Sequence, residues 1–594
     1  KDFSSVKMSK AANHRMVVIG RPAVAVRDRA RVRSLFSQPM NLIFIGVAAI
    51  VAFLGLYPSF FLLYGSVTNT PLGVPGHFTV ANYIQAYSDP KTFTLVLNSF
   101  VFATAASALS VSLALILAWI TIRTNAPFRR LFELTAIIPN IMPALLLAIS
   151  WVLLLNPNNG LLNLALMRLL GWKTAPFNIY SLPGLIFVEG LNLAPLAFLI
   201  IAAALKSMDP ALEESAKTLG SNEMGVARRI TFPLMRPAIL AAGTLNFVRA
   251  VESFDTPAII AIPARVEVFT TKIYREALGS FPVNNNLAAT YGVGILVIAL
   301  FFVYLYRRFT SHAESFSTVT GKVFQPHQIN LGRWRYLACA VAVMLLTLMV
   351  VLPFAGLVLV AFLPYYHVPG WHTWQSLTLS HFREILDNTR VYNAFANSIF
   401  LAVVGATVCM LLAAITSYLT VRTKIAARGL LEGMVFIPWA FPGTALALGL
   451  MWAYVNFPIH IYATIWIILI GYITRFLPYG LRAVTSTIVQ VNPELEEAST
   501  ACGAGFLSTF RRVLLPLMRP GIIAGWIILA TIFIREFSLS IFLYSPGAEP
   551  LGPLLYFLYL DGSYGRMAAV GLVITAISVV LIAIARWLSL WGAE

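Results

Sequence analysis

The chain has 594 residues, of which 59% are hydrophobic and 11% charged, with a net charge of +18 and a mean hydropathy of +0.79. So apolar a composition excludes a string of soluble domains. The basic excess falls in loops between apolar runs, which marks one membrane side and not a nucleic-acid surface. Cys339, Cys409 and Cys502 have no metal-site or disulfide spacing, and the histidines, His367 and His372 among them, read as scattered solvated residues.

Residues 1–40 are a basic tail, with Lys1, Lys7, Lys10, Arg15, Arg21, Arg27, Arg29, Arg31 and Arg33 and no signal-peptide cleavage pattern. Such a tail stays inside and touches anionic lipid. Apolar runs then predict membrane helices at about 41–66, 95–122, 131–155, 182–205, 236–262 and 288–306. The segment 156–180 is expected outside, with an interfacial helix carrying Arg168 and Trp172, and 263–287 is expected as an outside loop. Residues 309–334 are a polar linker. Six further spans follow, at about 336–363, 394–421, 430–456, 463–488, 519–545 and 567–587. Twelve spans put both termini on one side, and the basic loops make that side cytoplasmic. The fold class is all-α and polytopic, with a basic tail (1–40), a first half (41–308), a linker (309–334) and a second half (335–594).

The halves are copies. Asp209-Pro210-Ala211-Leu212-Glu213-Glu214-Ser215-Ala216 through Gly220 and on to Pro233 reappears as Asn492-Pro493-Glu494-Leu495-Glu496-Glu497-Ala498-Ser499 through Gly503 and on to Pro516, each landmark 283 positions later. Asn98-Ser99, Arg123, Glu133, Pro139 and Pro143 match Asn397-Ser398, Arg422, Glu432, Pro438 and Pro442 at a spacing of 299. The difference is lost outside, between the third and fourth spans of each half. These are parallel repeats related by an axis along the membrane normal.

Each repeated loop (207–235 and 490–518) opens with Asp209 or Asn492 as a helix N-cap and proline at the first helical position. Carboxylates crowd the first turn, where the helix dipole favours them, and Gly220 or Gly503 ends the helix. A short polar helix between two apolar runs is a natural handle for another protein.

The pattern Glu214-Ser215-Ala216…Gly220…Ile230…Phe232-Pro233 and Glu497-Ala498-Ser499…Gly503…Val513…Leu515-Pro516 resembles the signature of permease subunits of binding-protein-dependent ABC importers. Phe232 stands for the usual Leu and Ser499 for Ala. The resemblance implies the type I, MetI-like permease fold, with both halves fused in one chain in a bacterial inner membrane. It implies that each loop is a coupling helix seated in a cytoplasmic ATPase, so that Glu214, Ser215, Ala216, Gly220, Glu497, Ala498, Ser499 and Gly503 form the ATPase contact. Two ATPase subunits, which bind the ATP and Mg, and one external binding protein complete the complex. The chain has no Gly-x-x-x-x-Gly-Lys-(Ser/Thr) loop, so no catalytic site or cofactor of its own is expected.

Ionisable residues within spans are costly and point to function. Arg249, Glu252 and Asp255 lie with Phe254 in the fifth span, and Arg535 and Glu536 lie with Phe537 in its repeat. The spacing sets Glu252 opposite Arg535 and Phe254 opposite Phe537. The charges could close a gate, line a cation passage or fix helix packing; Glu189 is a further candidate. The stretch from Phe254 to Tyr274 is similar to the fused permeases that include ferric-iron importers, with thiamine, aminoethylphosphonate and polyamine systems as relatives. An ion-coupled secondary transporter also has two six-span halves, but that plan leaves the two repeated loops unexplained.

Overall fold

The computed structural model describes residues 39–136, 138–314, 328–367, 373 and 375–591. The basic tail as far as 38, linker residues 315–327 and His372 lie outside the described residues. Residues to Ile50 form one unit, of which the described part opens the apolar helix Pro39–Ser66; Val51–Glu594 form the other.

Among the described residues nine helices are long and apolar enough to cross a membrane, or ten if one bent pair is a single span. The third spans expected at 131–155 and 430–456 are broken. The first runs as Arg129–Thr135, Ile138–Asn140 and Ala144–Leu155. The second runs as Arg428–Ala440 and Gly443–Tyr454, bent by 107°. Pro139 with Pro143, and Pro438 with Pro442, remove backbone donors and clash with the preceding turn.

The fifth spans also depart from expectation. Phe232–Glu252 stops at Ser253, and Leu515–Arg535 stops at Glu536, both residues being extended (ψ 130°). Short helices Asp255–Ile260 and Ser540–Leu543 follow. Each fifth span enters through a wide turn, Ala227–Thr231 or Phe510–Leu514, in matching positions.

The expected outside loop 263–287 folds back into the bundle instead. Its helix Phe269–Tyr274 is almost wholly buried, as is its counterpart Leu551–Leu560. Repeated side chains staple both in place. Ser99 Oγ accepts from the Phe269 amide at 3.0 Å and Ser398 Oγ from the Leu551 amide at 2.8 Å. Asn98 and Asn397 donate to the carbonyls of Glu267 (3.4 Å) and Glu549 (3.1 Å). The duplicated Asn-Ser pair thus satisfies backbone groups at the start of a buried helix, which lipid or protein surroundings would otherwise leave unpaired.

The halves interlock. Tyr57, on the first span, donates to the Ala453 carbonyl of the second half's broken helix at 3.2 Å. Gly449 of that helix faces the Pro58 carbonyl so closely that a Cβ would have no room. Reciprocally, Tyr366, just beyond the second half's first span, donates to the Leu153 carbonyl at 2.9 Å. Gly356 of that span packs on Leu154. Each opening span therefore lies against the other half's third span.

Candidate coupling loops and central gate

The first coupling loop starts as its residues dictate, whereas in the second Pro493 takes the N-cap position expected of Asn492 and the helix begins one residue later, at Glu494. Asp209 accepts from the Ala211 amide at 2.9 Å and caps Pro210–Thr218. Asn492 Oδ1 accepts from the Glu494 amide at 3.1 Å and starts Glu494–Ala501. Gly220 (φ +86°) and Gly503 (φ +81°) are left-handed. The next amides, of Ser221 and Ala504, return to the Ala216 and Ser499 carbonyls at 3.0 and 3.1 Å. That closure requires a left-handed residue, so Gly220→Ala should destabilise the loop by about 1 kcal/mol. Hydrogen exchange over 210–221 checks this, expected faster in the variant.

Glu214 and Glu497 are exposed, as are Ser215 and Ala498, while Ala216 and Ser499 are half-buried. Leu219 is 87% exposed beside them. An acidic, partly apolar knob thus projects from each half.

The neighbouring glutamates do something else, which the sequence reading missed. Glu213 is buried, with Oε2 2.8 Å from Arg123 Nη1, and its Oε1 accepts from Thr231 Oγ1 at 2.8 Å. In the second half Glu496 Oε1 lies 3.0 Å from Arg422 Nε. Arg422 Nη2 also donates to the Ile488 carbonyl at 2.8 Å and to that of Val491. Both arginines end the second span of their half. The signal was present, since Arg123 and Arg422 recur at one spacing and the glutamates at the other, but only folding joins the two.

Centrally, the breaks in the fifth spans meet. Phe254 and Phe537 are buried and stacked, with ring centroids 5.5 Å apart and planes at 14°. Tyr274 packs on Phe254 and Tyr556 on Phe537, each at 5.3 Å. Both tyrosines come from the re-entrant segments. Asp255 Oδ1 accepts from Ser538 Oγ at 3.0 Å, a bond between the halves at equivalent positions.

The ion pair expected between Glu252 and Arg535 is not formed. Arg535 Nη1 donates instead to the Ile141 carbonyl, freed by the proline break, at 3.1 Å. Glu252 makes no ion pair within 4 Å among the described residues, and the charges facing it are those of Arg475 and Arg249. Glu536 is buried: it accepts from the Leu539 and Ser540 amides at 2.8 and 3.0 Å, capping the short helix there, and meets Arg475 at 3.3 Å. Arg475, from the fourth span, is a site residue that sequence reasoning missed. Arg249, Glu252, Asp255, Arg475 and Arg535 all retain solvent contact. Arg249 and Glu252 lie in the helix rising from the coupling loop, below the buried aromatic pair. Glu189 is buried, with Oε2 unpartnered. Among the described residues no group of three or more His, Cys, Asp or Glu could hold a metal ion.

Two matching exposed loops, one per repeat, and a buried aromatic stack at the junction of the halves are thus set in place by the fold. The family described as the binding-protein-dependent transport system inner membrane component matches residues 110–314 and 409–591. The chain belongs to that family. Its two matches hold the two coupling loops, so this is a fused, two-half permease of a bacterial ABC importer and a multi-pass membrane protein.

The permease is 25% identical over 532 residues to the ferric transport system permease protein FbpB of Actinobacillus pleuropneumoniae, covering 86% of this chain and 75% of that one. It is 21% identical over 492 residues to the Fe(3+)-transport system permease protein FbpB 2 of Haemophilus influenzae, covering 82% and 88%. It is 24% identical over 209 residues to the spermidine/putrescine transport system permease protein PotC of Escherichia coli, covering 35% and 78%. A crystal structure of a bacterial alginate ABC transporter in complex with an alginate pentasaccharide-bound periplasmic protein matches 49% of this chain and 99% of that one, with 18% identity and a TM-score of 0.39.

Proposed function

We propose that this permease passes ferric iron into the cytoplasm by alternating access, driven by two ATPase subunits and supplied by one external binding protein. The reading is carried by the relatives named for ferric transport, whose similarity runs through both halves. Glu214 and Glu497, with the residues up to Gly220 and Gly503, are the ATPase contacts; the partner subunits bind ATP and Mg. The permease sits in the inner membrane with both termini cytoplasmic, its halves at 41–308 and 335–594 joined by the linker 309–334.

The stack of Phe254 and Phe537 and the Asp255–Ser538 bond are the closed gate. Arg249, Glu252, Asp255, Arg535 and Glu536 surround the passage on its coupling-loop side. ATP-driven approach of the two handles draws the halves apart at that plug and opens the passage outward.

The test is uptake into proteoliposomes holding the permease, its ATPase and its binding protein, with ferric iron and putrescine offered separately. ATP-dependent accumulation of iron, and none of putrescine, is expected. Accumulation of putrescine alone would replace the substrate assignment, and uptake driven by a proton gradient without ATPase would remove the importer mechanism.

A further inference from the structure

An Arg–Glu pair and a Ser staple lie at opposite ends of one helix in each half, the pair being buried in the first half and half-buried in the second. In the first half the second span runs as the helix Pro90–Ala118 and continues without a kink through a wide turn, Trp119–Arg123. At one end Arg123 holds Glu213 of the coupling helix at 2.8 Å. At the other, Ser99 Oγ holds the amide of Phe269 at 3.0 Å. Phe269 opens the helix carrying Tyr274, which packs on Phe254 of the gate. The second half repeats every link. Glu496 meets Arg422 at the end of Thr389–Val421, Ser398 holds the Leu551 amide, and Tyr556 of that helix packs on Phe537. Between Ser99 and Arg123 the helix spans about 36 Å at the usual rise per residue.

From this we infer that the second span of each half is a strut that carries movement of the coupling helix to the aromatic gate. Arg123 and Arg422 are the positioning residues that lock it at the coupling end. The inference rests on the coupling-loop reading above, and the physical warrant is contiguity. A helix resists compression along its axis, the gate-end joints are hydrogen-bonded, and the coupling-end joint is an ion pair, buried and hydrogen-bonded for Arg123–Glu213 and half-buried for Arg422–Glu496. The direct route along the fifth span is weaker, since that helix ends at the break before the gate. The joints are not identical. Thr231 adds a hydroxyl bond to Glu213, where the second half has the apolar Leu514 and instead bonds Ser499 to Thr509 at 2.9 Å. The feature common to both is the arginine with its glutamate.

Two measurements test the strut. In the complex, R123A/R422A is expected to retain the ATPase subunits, because exposed Glu214 and Glu497 remain, yet to lose stimulation of ATP hydrolysis by the loaded binding protein about tenfold. S99A/S398A, far from the ATPase, should lose it likewise. The charge-reversed R123E/E213R should recover stimulation over R123A, which a mere loss of packing would not allow. Unchanged stimulation in R123A/R422A, or a reversed pair no better than R123A, overturns the inference.

In the purified permease without any partner, hydrogen exchange reads the same strut independently of the ATPase assignment. R123A should speed exchange over 269–279 as well as over 210–218. Faster exchange confined to 210–218 would make the arginine a local brace and overturn the strut.

Discussion

The double variant F254A/F537A is expected to leak. Proteoliposomes containing it should release a small entrapped solute without ATP, and the associated ATPase should run without the binding protein. The two rings are buried and stacked where the broken fifth spans meet. Removing a buried phenylalanine costs about 3–5 kcal/mol in a packed core, and stacking adds about 1 kcal/mol. The loss falls on the closed state, where the rings face each other. Even part of it lowers the closed-to-open ratio by more than about tenfold. Tyr274 and Tyr556 remain and narrow the passage, so the leak should favour small solutes. A liposome as tight as wild type would show that the plug lies elsewhere. The single variant F254L keeps an apolar filler and should leak far less.

The second large effect is expected from E214A/E497A. Both carboxylates are exposed on the handles and belong to no ion pair within 4 Å among the described residues, so the permease itself should remain inserted and folded. Across a docked interface, truncating one partner of a buried charge pair costs about 2 kcal/mol or more. Two such sites act together, so co-purification of the ATPase should be lost, and uptake with it. Unaltered co-purification with unaltered uptake would rule out these glutamates as the contact. The contrasting variant E213A separates the roles. Glu213 is inside the permease against Arg123, and its removal leaves a buried guanidinium unpaired, which typically costs about 3–5 kcal/mol. Its first effect should therefore be a lower melting temperature of the permease alone, an effect that E214A/E497A should lack.

This division between adjacent glutamates shows where reading a sequence stops. The loop helix, its cap and its left-handed glycine were legible because they depend on neighbours along the chain. Which glutamate points inward depends on where the second span ends, 90 residues earlier for Arg123 and Glu213. The Asn98-Ser99 repeat was visible as a coincidence of letters. Its purpose appeared only when the segment after each fifth span turned back into the bundle and presented amides to be satisfied. That segment read as an outside loop because it holds Arg265, Glu267, Lys272, Arg275 and Glu276. In the fold, Lys272 pairs with Glu276 at 2.9 Å and Arg275 pairs with Glu267, so four of these five charges are matched in place.

The central charges illustrate the same limit. Repeat spacing correctly brought Phe254 to Phe537, because equivalent residues near a pseudo-twofold axis must approach each other. The same spacing failed for Glu252 and Arg535. Both residues end their helices just before the breaks, and the proline-broken third span offers Arg535 the Ile141 carbonyl. The breaks themselves carry no glycine or proline at their centre, so periodicity ran straight through them.

By itself, then, the sequence determined a polytopic helical chain of two repeated halves, each with an exposed, capped loop helix, since hydropathy, capping and repetition are local or periodic properties. The tertiary structure alone decided where the spans break, which half each opening helix embraces and which charges meet. Those outcomes depend on backbone groups that must find partners within the bundle, and their partners lie tens to hundreds of residues away.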